Sequence, residues 1–100
     1  MHYQVFLAQA AAQLIPGLPP DVKRLIRTAL EEIRQNPDIG KNLQEELAGF
    51  LSYRARRYRI VYRVDRQAKS VVVYYAAHRR EVYERFSELL RQMEGKRPPL

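Results

Sequence analysis

The hydrophobic period of this chain changes at Leu51. Before it, Val22, Leu25, Ile26, Ala29, Leu30 and Ile33 recur three and four residues apart, one stripe of an amphipathic helix. After it the period is two. Leu51, Tyr53 and Ala55 alternate with Ser52, Arg54 and Arg56, and Tyr58, Ile60, Tyr62 and Val64 alternate with Arg59, Val61 and Arg63. A third run, "SVVVYYAA", is apolar at successive positions and suits a strand buried on both faces. Helices gathered before a block of strands, without strict alternation, predict an α+β domain. Strands that follow one another with only short turns between them predict an antiparallel meander.

The flanks complete the outline. Tyr3 to Leu7 reads as a strand, and the alanine-rich "AQAAAQLI" favours a first helix, ended by Pro16, Gly17, Pro19 and Pro20. Pro20 and Asp21 suit the first turn of the second helix, and Asn36-Pro37 stops it. Asp38 to Gly49 reads as a connecting loop with a turn of helix. After the third strand of the meander, Val82, Phe86, Leu89, Leu90 and Met93 form the stripe of a last helix, closed by Gly95 and two prolines. Residues 1–100 therefore form a single domain: a strand, two helices, the meander and a C-terminal helix, with a sheet of about four strands. The helical stripes are expected to cover one face of that sheet and leave the other open.

Charge is divided unevenly along this outline. Residues 1–51 hold five Lys or Arg against six acidic residues, whereas residues 52–100 hold thirteen against five, a net of +8. Such a field draws polyanions, and it would equally suit an acidic protein. There is no cysteine, so thiol catalysis, disulfides and thiolate metal sites are excluded, as suits a reducing cytoplasm. The start, "MHYQVFLAQAAAQLIPG", has no basic region and no long apolar run, so neither a secretory signal nor a membrane span is expected. Two histidines without ligand-spaced carboxylates offer no metal site. No glycine-rich phosphate loop and no nucleophile elbow is present.

The arginines carry the remaining information. With Tyr58, Ile60, Tyr62 and Val64 facing a core, Arg59 projects from the other side of the sheet, and Arg54 and Arg56 share its parity. Like charges brought together across a sheet repel, which a bound polyanion would relieve, and guanidinium forks match phosphate oxygens. A solvated outer face is the plain alternative. Arg79 and Tyr83 stand four apart at the start of the last helix, hence on one side of it. Tyr83 lies off the Val82–Phe86 stripe, free to stack on a base or to pack. His78, at the strand end, offers an imidazole.

"YRIVYRVD", followed after a polar turn by "VVVYYAAHRREVYE", resembles the RelE/ParE superfamily of toxins from toxin–antitoxin modules. The element order, the "NP" after the second helix and "L…ELAGFLSYRARRYR" leading into the meander agree with it, over nearly the whole chain. The RelE-like branch implies a ribosome-dependent endoribonuclease that cuts mRNA by metal-free attack of a ribose 2′-hydroxyl on the adjacent phosphate, inhibiting translation. It also implies a cytoplasmic protein held in check by a cognate antitoxin, with no cofactor and no membrane. By resemblance, Arg59 matches a phosphate-binding arginine and Arg54 a basic position on the preceding strand. Arg79 matches an arginine that stabilises the transition state or the leaving group, and Tyr83 a tyrosine that stacks on the base or assists proton transfer. Arg56, Arg57, His78 and Arg80 flank these as RNA-binding positions. Ser52 departs from the pattern, standing where a basic residue is usual, and Arg56-Arg57 replaces a small or acidic turn. Arginine holds its proton too tightly to act as a base, so Tyr83 or His78 would serve, or electrostatics would dominate. The ParE branch, which poisons DNA gyrase, and a catalytically silent RNA- or partner-binding relative are the alternatives.

Overall fold

The computed structural model describes residues 3–78 and 82–95. Its strands are β1 (Gln4–Leu7), β2 (Lys41–Asn42), β3 (Leu51–Ala55), β4 (Tyr58–Asp65) and β5 (Ser70–His78), and its helices are α1 (Gln9–Leu14), α2 (Pro20–Gln35) and α3 (Val82–Gly95). One sheet runs in the order β1-β5-β4-β3-β2. The meander β3-β4-β5 is antiparallel, and β1 joins its edge parallel to β5. The α+β class stands, but the sheet has five strands where about four were expected. The extra strand is β2, two residues paired with Leu51 and Ser52 of β3. Lys41-Asn42 has no apolar alternation to announce it, and backbone pairing alone makes it a strand.

Both faces of the sheet are covered, which overturns the expectation of an open face. On one side Val22, Ile26, Ala29 and Ile33 of α2 and Ala11 of α1 pack on Leu51, Ala55, Ile60, Tyr62, Val71, Val73 and Ala76. On the other, Val82 and Phe86 of α3 join Leu47, Phe50 and Val61. The reason is apolar supply: α3 has a stripe of its own, and α1 and α2 already occupy the first face. Val61, set between Arg59 and Arg63, is its landing point on β4.

A bulge in the β4–β5 pairing fits the sheet to α3. Val61 faces Tyr75 but Tyr62 faces Val73, so Tyr74 is the extra residue. Both Tyr74 and Tyr75 consequently pack on the α3 side, where Phe86 meets Phe50 edge-on with ring centroids 5.0 Å apart.

The side bearing α2 is tied down by tyrosines. Buried Tyr62 donates its hydroxyl to the Pro37 carbonyl (2.8 Å) and accepts the Gly40 N–H (2.9 Å), fixing the loop after α2. Gly40 needs no unusual backbone angle; it is required because a Cβ there would run into the Tyr62 ring and hydroxyl. Tyr53 of β3 donates to Glu32 of α2. Among the described residues, no helix is long and apolar enough to cross a membrane.

Candidate functional site

The arginine pair read from parity is a true cross-strand pair. Arg54 of β3 and Arg59 of β4 are register partners, one step from the hairpin turn. Directly opposed like charges cost up to about 1 kcal/mol relative to neutral partners. The Arg54 Nε is held by the Arg56 carbonyl at 3.0 Å.

Tyr83, arriving on α3, completes the cluster. Its neighbours Val82 and Phe86 are fully buried and fix the first turn of the helix against the sheet. Tyr83 then lies beneath Arg59, whose guanidinium carbon is 5.9 Å from the ring centroid. The phenol donates to the hydroxyl of Ser52 at 3.0 Å. Three elements thus set Arg54 and Arg59 side by side on one face and bring the Tyr83 phenol under Arg59. Guanidiniums bind phosphate through paired donors, while a phenol supplies a hydrogen bond and a flat face for a base.

Three expected members lie elsewhere. Arg56 is not on a strand: with Arg57 it forms the turn between β3 and β4, and its φ of +55° breaks the alternation that parity assumed. Arg56 and Arg57 line a groove of about 640 Å³ with Asp21, Arg24, Leu25 and Tyr58, on the side that carries α2. His78 pairs with Tyr58, not with Arg59, whose partner on β5 is Ala77. The His78 ring meets Tyr58 edge-on at 5.9 Å, away from Tyr83. One residue of register separates the two outcomes. Arg79 and Arg80 lie outside the described residues.

Ser52 is the member that sequence reading undervalued. It registers there as a missing basic group, whereas in the fold its hydroxyl receives the tyrosine. Its parity with Arg54 was the available signal. Arg63, also on this face, lies over the Phe50 ring with its guanidinium carbon 5.0 Å from the centroid.

Residues 8–83 match the family described as ParE toxin of type II toxin–antitoxin system, parDE. The toxin RelG of Mycobacterium tuberculosis is 33% identical over 87 residues, covering 85% of this chain and 100% of the relative. The chain belongs to the RelE/ParE superfamily of type II toxins. Solved structures of this superfamily share the fold. The toxin–antitoxin complex RelBE2 from M. tuberculosis contains a chain matching with a TM-score of 0.72 and 32% identity, over 79% of this chain and 100% of that one. A free-state mutant of the E. coli toxin RelE matches with a TM-score of 0.73 and 22% identity, over 92% and 98%. At that lower identity the likeness concerns the fold.

Proposed function

We propose that this RelE/ParE toxin is a ribosome-dependent mRNA endoribonuclease. The observation that carries the reading is the meeting of Arg54, Arg59 and Tyr83 on one side of the sheet. Cleavage by the neighbouring 2′-hydroxyl passes through a pentavalent phosphorus with added negative charge. Fixed guanidiniums stabilise that charge more than the ground state, because they need no reorganisation when it develops. Arg59 and Arg54 bind the scissile phosphate, and Arg79, by its match to the family, neutralises the transition state or leaving group. Tyr83 stacks on the adjacent base and orients the attacking hydroxyl. With His78 turned toward Tyr58, the site relies on positioning and charge in preference to a strong base.

The ribosome presents the message, while Arg56, Arg57, His78 and Arg80 contact flanking RNA. A cognate antitoxin restrains the enzyme, as the toxin–antitoxin complexes among the solved relatives suggest, and the toxin acts in the cytoplasm, where ribosomes are. The test is cleavage of end-labelled mRNA with and without programmed ribosomes, comparing wild type with Arg79→Ala. Ribosome-dependent cuts that vanish in the variant support the reading; an intact message with well-folded wild type rejects it. Because the matching family is described by ParE, inhibition of DNA gyrase is the second reading, and a supercoiling assay decides it.

A further inference from the structure

We infer that Ser52 is the positioning residue for Tyr83, a role that rests on the nuclease reading and gives its departure from the family pattern a purpose. Ser52 is a buried polar side chain, 2% exposed. A hydroxyl at that depth is costly unless hydrogen-bonded, and the Tyr83 phenol, from an element 31 residues away in sequence, reaches it at 3.0 Å.

The geometry explains why a holder is needed. Val82 and Phe86 anchor the α3 backbone, yet neither fixes the side-chain angles of Tyr83, which is only half-buried. Arg59 lies over one face of the ring, 5.9 Å from its centroid, a contact that does not set the direction of the hydroxyl. Ser52, by contrast, lies on a strand paired on both sides, opposite Val61 of β4 and Lys41 of β2. By accepting the hydrogen bond of the phenol it fixes the far end of the ring beneath Arg59, so that ring face, guanidinium and phosphate share one arrangement. A lysine at this position would supply charge but could not be buried at 2% exposure without a partner. This toxin therefore exchanges a basic group for a fixed tyrosine.

The experiment compares Ser52→Ala, Ser52→Thr, Tyr83→Phe and the double variant Ser52→Ala/Tyr83→Phe in ribosome-dependent cleavage, with thermal melts as folding control. Ser52→Ala should lower kcat about tenfold with KM within about twofold, since the arginines still grip the phosphate and a lost orienting contact acts mainly on the chemical step. Ser52→Thr should retain most activity, and the double variant should be no slower than Tyr83→Phe alone. Carbon-13 tyrosine labelling supplies a readout independent of activity. The Tyr83 ring resonances, assigned by their loss in Tyr83→Phe, should shift in Ser52→Ala and keep their positions in Ser52→Thr. Wild-type cleavage with an unaffected Ser52→Ala, or losses that simply add, overturns the inference and spares the nuclease reading. Wild type that never cleaves rejects the nuclease reading, and the positioning is then judged by the ring resonances, where unchanged signals overturn it.

Discussion

Arg59 and Tyr62 are three residues apart on β4 and face opposite sides of the sheet, one over Tyr83 of α3 and one in the core beneath α2. Arg59→Ala is expected to lower cleavage about a hundredfold, in line with loss of one preorganised donor. Arg59→Lys should recover little of it, since an ammonium lacks the planar fork. Arg59→Ala should not cost folding stability through the Arg54 pairing, because removing one of two opposed cations relieves repulsion, whereas Arg59→Lys keeps the charge and leaves that repulsion in place; denaturant melts check this. Tyr62→Phe has the opposite profile. It strands the Gly40 N–H and the Pro37 carbonyl and should lower unfolding free energy by about 1–3 kcal/mol. Burial, opposed by the Gly40 hydrogen bond, pushes the Tyr62 phenol up to about 12. The unfolded chain releases that proton near pH ~10, so the folded form retains protons that the unfolded form has lost. Stability from this group is complete below about pH 10 and declines as pH rises through about 12. Urea melts between these values should show a shallower decline in Tyr62→Phe than in wild type.

At the scale of elements, the β3–β4 turn and α3 present the site. Arg56 holds a left-handed backbone conformation, φ +55°, at a cost of order 1 kcal/mol for a residue with a Cβ. Arg56→Gly should therefore raise stability by about 0.5–1 kcal/mol while weakening RNA binding, read by thermal melts beside an RNA-binding titration. A rise in both would remove Arg56 from the interface. Phe86→Ala should cost about 3–5 kcal/mol, since that ring is fully buried against Phe50 and Tyr75. Cleavage by the fraction that remains folded should fall too, because α3 carries Tyr83. The elements themselves were largely legible in sequence. The stripe of α2 and the alternation of β3 and β4 name the residues that are buried, because one apolar face with a fixed period has one way to hide. The two-residue β2 was not legible, being defined by pairing with β3 and by no pattern of its own.

For the whole molecule, a first half of net charge −1 covers one face of a sheet drawn mostly from a second half of net charge +8. Binding of single-stranded RNA should weaken linearly in log–log plots against salt, with a slope of about −0.7 per phosphate neutralised. Contacts through Arg54, Arg56, Arg57 and Arg59 give about −3 in all, and Arg56→Gln/Arg57→Gln should flatten the slope by about 1.4. An unchanged slope would leave the turn out of RNA binding. Sequence by itself determined the α+β class, the order of the principal elements, the absence of thiol chemistry and the parity that puts Arg54 and Arg59 together. These follow from side-chain period and composition, which are local. It could not decide what α3 covers, which face His78 takes after the bulge, or that Ser52 meets Tyr83. Those depend on the docking of a helix against strands 31 residues away and on one extra residue in a register, and only the assembled tertiary structure fixes either.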